Sequence, residues 1–224
     1  QRALKMRDVG ALDVRNQCSG FIYGLSVGDQ FIRSGMYKNI LLIGAEFHSM
    51  GLDFSTRGRN VTVIFGDGAG AVVLQPTEDE NEGVLSTHLH SDGEYAEKLA
   101  FINPGSHGGY HLGTDRFGYE ALEFGGVFLP PKMWEEQDLF PNMEGQAVFK
   151  IAVQKFPEVI MEALEANGYG ISDLDMLIPH QANLRISQFV QKRLQLREDQ
   201  VFNNIQKYGN TTAASVPIAL CEAW

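Results

Sequence analysis

An α/β protein with a largely parallel, covered sheet is what this sequence predicts, from three observations. Apolar runs of strand length alternate with segments of helical periodicity. The most uniform run, Ile40-Leu41-Leu42-Ile43-Gly44-Ala45, lacks polar alternation, as in a strand covered on both faces. Chemistry-bearing residues sit just beyond apolar runs, at Cys18, His180 and Asn210. The ends of parallel strands are where α/β proteins gather their sites.

Each element follows from local pattern. Residues 1–10 read as the last turns of a helix that stops at Gly10, and Ala11–Asn16 reads as a buried strand. Cys18–Ser34 carries Phe21, Ile22, Leu25, Phe31 and Ile32 at helical spacing and is stopped at Gly35. Asn39–Glu46 is a strand, Val61–Phe65 another, and Ala71–Leu74 a third. Between the last two lies Gly66-Asp67-Gly68-Ala69-Gly70. A dinucleotide-binding loop needs a helix after its glycines, and here Val72, Val73 and Leu74 continue as strand. A tight small-residue turn packed against other backbone is the expectation. Val84–His90 alternates apolar and polar residues, which puts His88 and His90 on one side of a strand. They read as solvated or hydrogen-bonded histidines, and Gly108 and Gly109 between His107 and His111 argue against helical metal ligation there.

Residues 101–143 are irregular, rich in glycine, proline and aromatics, and read as an insertion that forms a pocket wall, a lid or a partner surface. Glu144–Asn167 is helical, kinked or divided at Pro157 and ended by Gly168 and Gly170. Leu174–Ile178 and Val201–Ile205 are strands around an amphipathic helix at Leu184–Leu196. A loop from Tyr208 to Ser215 enters a final helix. Helix, strand, asparagine-bearing turn and small-residue helix occur at both 1–34 and 184–224, a faint echo that a duplication of two halves would explain. Both ends of the chain lie inside helical patterns, which reads as a fragment of a longer protein.

Composition narrows the function. The 224 residues carry 44% apolar and 21% charged residues, ordinary for a globular protein with a core. A net charge of −10 argues against nucleic-acid binding. No apolar run is long enough to cross a membrane, and residues 1–7 lack a signal-peptide core. Two cysteines, Cys18 and Cys221, make no disulfide framework, so a reducing, cytoplasmic setting is expected.

Cys18 lies where a strand turns into a helix, in Asn16-Gln17-Cys18-Ser19-Gly20-Phe21. Free cysteines are usually buried small hydrophobes. At a helix start, however, unpaired N–H groups and the positive end of the macrodipole are expected to lower a thiol pKa. Taken singly, His180 reads as a hydrogen-bonded loop histidine and Asn210 as a turn residue. Together, a thiol with His and Asn nearby supports nucleophilic acyl chemistry.

Three blocks carry a family resemblance: Asn16–Phe21 around Cys18, Pro179-His180-Gln181-Ala182-Asn183-Leu184-Arg185, and Tyr208-Gly209-Asn210-Thr211-Thr212-Ala213-Ala214-Ser215-Val216-Pro217. With Ile64–Ala71 and Ser86–Gly93, they occur in order along the chain and resemble the β-ketoacyl-acyl-carrier-protein synthase III family of the thiolase-like fold. The resemblance implies a fold of duplicated five-layered αβαβα halves, incomplete here at both ends. Residues 1–100 would be the remainder of the first half, and 144–224 a truncated second half. It implies catalytic roles for Cys18, His180 and Asn210. Cys18 takes an acyl group from acyl-CoA, and malonyl-acyl-carrier protein is decarboxylated and condensed onto it. No metal and no cofactor beyond the CoA substrate are implied, and a homodimer is. His180 and Asn210 would donate hydrogen bonds to the thioester oxygen of the extender. Arg57 or Arg59 would stack on the CoA adenine, with Arg57 favoured by its Thr56-Arg57-Gly58 context. Asn183 would support the active-site hydrogen-bond network, Phe65 the acyl channel, and Arg185 the carrier-protein docking surface.

Gln17 replaces the small residue usual before the cysteine, and the 101–143 stretch favours a longer or unusual acyl group. A head-to-head condensing enzyme or an acyltransferase of the same fold is a second reading. A non-catalytic partner subunit is a third, opposed by the intact Cys18, His180 and Asn210. Type III polyketide synthases share Cys-His-Asn but not the Pro-His-Gln-Ala-Asn-Leu-Arg context.

Overall fold

The computed structural model describes residues 1–6, 8–79, 81–101 and 140–224. The helix after Cys18 is α1, Gly20–Arg33, and the first strand is β1, Ile40–Glu46. A short helix α2, Arg59–Thr62, precedes β2, Gly68–Leu74. Two-residue strands β3, Leu99–Ala100, and β4, Asn142–Met143, pair antiparallel. Then follow α3, Gly145–Ala166, α4, Leu184–Arg193, α5, Ile205–Tyr208, and α6, Ser215–Ala223.

The sheet corrects the expectation of parallel strands covered on both faces. β1 and β2 are antiparallel neighbours, with Gly44 opposite Gly70 and Leu42 opposite Val72. One face packs on α1 and α6, and the other leaves Leu41, Ile43 and Val73 exposed. The covered face is a close fit. α1 approaches through Gly24 and Gly28, where an added Cβ would lie 2.7 Å from Leu42 and from Leu74 respectively. On the same face, toward α6, a Cβ at Gly44 would lie 2.5 Å from the Ala213 carbonyl oxygen, and one at Gly70 would lie 2.8 Å from Ile218 N. The small-residue stretch 66–70 is therefore packed against backbone as expected, though most of it is strand rather than turn.

Other differences have one cause. Local apolar pattern forms a strand only where a neighbour supplies a ladder. Ala11–Asn16 has no paired strand among the described residues, and Leu12 and Val14 are exposed. Residues 1–6 form turns rather than helix. The predicted strand at Val61–Phe65 is a helical turn: Val61 and Thr62 N–H both donate to Gly58 O at 2.9 Å. Thr62 Oγ1 also donates to Asp53 O. Leu174–Ile178 and Val201–Ile205 are reduced to one parallel bridge, Leu177 to Val201. Pro157 does not divide α3, which runs as one 22-residue helix. His107, His111 and most of the 101–143 stretch lie outside the described residues.

Residues 84–90 form no strand either, but side chains tie them down. Arg33 Nη2 donates to Val84 O at 2.7 Å, and Ser26 and Thr87 hydroxyls lie 2.9 Å apart. His88 and His90 do share a side: Nδ1 of His88 and Nε2 of His90 meet the two oxygens of Glu162 at 3.0 and 2.7 Å. The histidines are hydrogen-bonded, as read from the sequence.

Candidate active site

Cys18 stands in a tight 3-10 turn, Gln17–Ser19, that leads into α1. Asn210 is followed by a second such turn, Thr212–Ala214, that leads into α6. The two turns pack together, and Gly20 lies close enough to Ala213 that an added Cβ would come within 3.3 Å of its methyl. Each turn opens on a non-glycine residue with left-handed backbone, Gln17 at φ 42° and Thr212 at φ 50°. Such residues cost on the order of 1 kcal/mol each and persist only where surrounding contacts hold them. Of the echo read between 1–34 and 184–224, the turn and the small-residue helix recur, each opened by a left-handed residue, while residues 1–16 form neither the helix nor the strand.

The Cys18 thiol is pushed up to about 11, against the lowering expected at a helix start. Burial is the larger cause, and the Glu46 carboxylate is the second. The backbone N–H of Cys18 does lower the value, as helix-start reasoning requires, but burial and charge outweigh it. Cys18 also precedes α1 instead of occupying its first turn.

His180 follows a buried proline and is itself half-buried. Its Nδ1 lies 2.6 Å from Ser215 Oγ, at the start of α6. Ser215 Oγ also accepts the Gln181 N–H at 3.4 Å, and its own O–H is assigned as the donor to the imidazole Nδ1. The proton is assigned on these partners to Nε2. Nε2 is buried and has no hydrogen-bond partner among the described residues. Burial lowers the His180 pKa to about 4, so the ring is neutral near pH 7.

Asn210 is 4% exposed and is fixed from both ends. Its backbone N–H donates to Ile64 O at 2.9 Å, and its C=O accepts from Gly66 N–H at 3.0 Å, forming a parallel bridge to Phe65. Its side-chain Oδ1 accepts from Thr212 N–H at 2.8 Å. A backbone N–H can only donate, so the atom facing it is oxygen, and the NH2 group points elsewhere. Among the described residues Nδ2 makes no hydrogen bond. Two donors, His180 Nε2 and Asn210 Nδ2, are thus held at opposite ends of the segment 210–215, and the middle of that segment packs on the cysteine turn.

Among the remaining candidates, Phe65 adjoins this centre through its parallel bridge to Asn210. Arg57 pairs with Asp53 at 2.7 Å and holds its guanidinium carbon 5.6 Å from the Phe140 ring centre. Arg59 is exposed at the start of α2. Asn183 caps α4, its Oδ1 accepting from Arg185 N–H at 2.9 Å, and both residues are exposed. Phe65 is half-buried with its ring 4.9 Å from His48. Four residues near the centre escape motif reading: Glu46, His48, Thr212 and Ser215. Glu46 and His48 lie at the end of an apolar run, the signal that singled out Cys18, His180 and Asn210. Thr212 and Ser215 lie inside the Asn210 block.

A cysteine turn packed on an asparagine turn, with a half-buried histidine bound just beyond the second, fits a thiolase-like fold. Comparison narrows the class. The family models 3-oxoacyl-[acyl-carrier-protein (ACP)] synthase III and its C-terminal domain match residues 12–93 and 164–224. The β-ketoacyl-[acyl-carrier-protein] synthase III of Actinobacillus pleuropneumoniae is 42% identical over the whole chain and 61% of its own length. That of Xanthomonas euvesicatoria is 47% identical over 96% of this chain and 58% of its own. The crystal structure of the Aquifex aeolicus synthase III is 38% identical with a TM-score of 0.78, over 99% of this chain and 60% of that one. The chain belongs to the 3-oxoacyl-[acyl-carrier-protein] synthase III family, and it spans about 60% of the length of these relatives.

Proposed function

We propose that the full-length protein joins an acyl group from acyl-CoA to malonyl-acyl-carrier protein by decarboxylative Claisen condensation, as in fatty acid or related biosynthesis. In the first step Cys18 Sγ bonds to the acyl carbon, the bond to the CoA sulfur breaks, and the thiol proton leaves with CoA. No net charge is created, which suits a thiol whose pKa stands at about 11. In the second step the malonyl thioester loses CO2, and the electron pair becomes an enolate. Its carbon attacks the acyl-cysteine, Sγ departs as the thiolate and takes a proton from water, and a 3-oxoacyl thioester remains. Apart from that proton, every atom comes from the two substrates and Cys18, so no cofactor is called for.

The observation that carries this reading is the pair of unspent donors. His180 Nε2–H and Asn210 Nδ2 are held by Ser215 and by Thr212 N–H, and they can receive the negative charge that develops on the thioester oxygen. A neutral imidazole donates without first losing charge, and burial keeps His180 neutral. Removing one such donor costs on the order of 10²–10³ in rate. Around this centre we assign Arg57 to the CoA adenine, since Asp53 holds its planar guanidinium in place. Arg59 is the competing position. Exposed Arg185 suits an acidic carrier protein. We read 1–100 and 144–224 as parts of two related halves, 101–143 as an acyl-pocket insertion, and the active form as a cytoplasmic homodimer.

The test uses full-length protein. Incubation with acyl-CoA is expected to add the acyl mass to the peptide containing Cys18, and Cys18→Ala to abolish that addition. Acyl mass on the same peptide of Cys18→Ala overturns the assignment. Product mass with a malonyl-carrier protein separates condensation from head-to-head coupling or simple acyl transfer.

A further inference from the structure

We propose that His48 is a positioning residue for the Asn210 carboxamide, acting through Thr212. This rests on the reading of Asn210 as a donor to the thioester oxygen. His48 follows β1, and its half-buried ring closes a circuit of hydrogen bonds between the two turns' supports. His48 Nδ1 lies 2.8 Å from Gly66 O. A carbonyl oxygen can only accept, so Nδ1 carries a proton, and an imidazole with that one proton has Nε2 as an acceptor. Thr212 Oγ1 lies 2.7 Å from that Nε2 and donates to it. Glu46 stands 3.9 Å away and receives the Ala213 N–H at 3.3 Å, closing the same turn from its other side.

Thr212 is the link. It is 4% exposed and β-branched, and φ of 50° is an outlier for such a residue. In that conformation its N–H meets Asn210 Oδ1 and turns the carboxamide so that Nδ2 faces away. The stretch Ile64–Gly66 completes the circuit, since it pairs with the Asn210 backbone and also holds the His48 ring. Without the imidazole, a buried hydroxyl loses its acceptor and the strained turn loses one of its two fixed points. The cysteine turn would keep its own bonds, Ser19 N–H to Asn16 O among them.

The experiment compares full-length His48→Leu, His48→Gln, Thr212→Val and Asn210→Ala with the parent protein. Cys18 acylation by acyl-CoA is followed by mass, and kcat and KM are measured separately for malonyl-carrier protein. For His48→Leu and Thr212→Val, acylation is expected to be unchanged, kcat of condensation to fall about 10- to 100-fold, and KM to stay within about twofold. His48→Gln can still donate to Gly66 O and accept from Thr212, so it is expected to recover most of the loss. His48→Leu combined with Asn210→Ala is expected to be no slower than Asn210→Ala alone. Full condensation by His48→Leu or Thr212→Val overturns the proposal. So does an equal loss in acylation and condensation, which would mark a merely structural role, and so do effects that multiply in the double variant. Full condensation by Asn210→Ala overturns the reading of Asn210 and this proposal with it. A normal Asn210→Ala loss beside an unaffected His48→Leu overturns the proposal alone.

Discussion

Burial, and after it Glu46, sets how reactive Cys18 is at rest. Burial opposes the thiolate, and the Glu46 carboxylate opposes it further, so the thiol stands near 11 instead of its ordinary 9.0. The sign has two consequences. An acid whose folded pKa is raised takes nothing from stability below pH 9 and destabilises the fold as pH rises through 9 toward 11. Removing the Glu46 charge lowers the pKa and raises the thiolate fraction near neutrality. Glu46→Gln is therefore expected to speed Cys18 alkylation by iodoacetamide at about pH 8 by roughly 2- to 10-fold, read by mass on the Cys18 peptide. An unchanged or slower rate would show that Glu46 does not set the thiol's acidity. The same residue shows a limit of motif reading. Cys18 was legible because a lone thiol follows an apolar run, but the direction of its pKa shift depends first on its burial in the fold and then on a carboxylate 28 positions further on.

At the scale of elements, the site depends on how closely β1 and β2 approach the turn before α6. Gly44 and Gly70 face each other across the ladder, and each lies against backbone from the Ala213–Ile218 region. A methyl at Gly44 would lie 2.5 Å from Ala213 O and 3.1 Å from Ala214 Cα, and neither backbone atom can rotate away. Gly44→Ala is expected to destabilise the fold by about 1–3 kcal/mol, as overpacked cores do, and to slow condensation by shifting the Thr212–Ala214 turn. Denaturant midpoints and kcat measured together check this. A variant with parental stability and rate would mean that the turn has room to move. The Gly66-Asp67-Gly68-Ala69-Gly70 run reads in sequence as close packing, and it is. What it packs against could not be read, because Thr211, Pro217 and Ile218 lie some 140 residues away in the chain.

For the molecule as a whole, two features stand out. The segment 84–90 joins α1 to α3 by side chains alone: Ser26 and Arg33 on one side, Glu162 and Asn167 on the other. The Glu162 carboxyl is held below its ordinary range by hydrogen bonds from His88 and His90, so this clamp weakens as acid protonates the carboxylate. The second feature is the outer face of the β1–β2 sheet. Leu41, Ile43 and Val73 are 39%, 54% and 64% exposed on one face of a two-stranded sheet, and contiguous exposed apolar side chains mark a surface that binds other apolar groups. The 224-residue chain is expected to bind the dye ANS, and replacing these three residues by threonine to reduce that binding. Dye fluorescence that ignores the substitutions would show that this face is covered.

Sequence by itself determined the helices that carry their own period, α1, α3 and α4, because a helix closes its hydrogen bonds locally. It also carried the candidate chemistry: a thiol, an imidazole and a carboxamide in motifs whose order resembles one family. Strands were read less well. Ile40–Glu46 was placed correctly, but its antiparallel partner and open face were not, since pairing is settled between distant segments. Ala11–Asn16 had strand-like composition and found no ladder among the described residues, and Val61–Phe65 found only a single bridge, from Phe65 to Asn210. Only the tertiary structure decided the electrostatics and the aim of the site. Burial and Glu46 raise Cys18, burial alone holds His180 neutral, and a threonine at φ 50° turns the Asn210 amide outward. Field and orientation depend on groups brought within a few ångströms by folding, and no spacing along a chain records them.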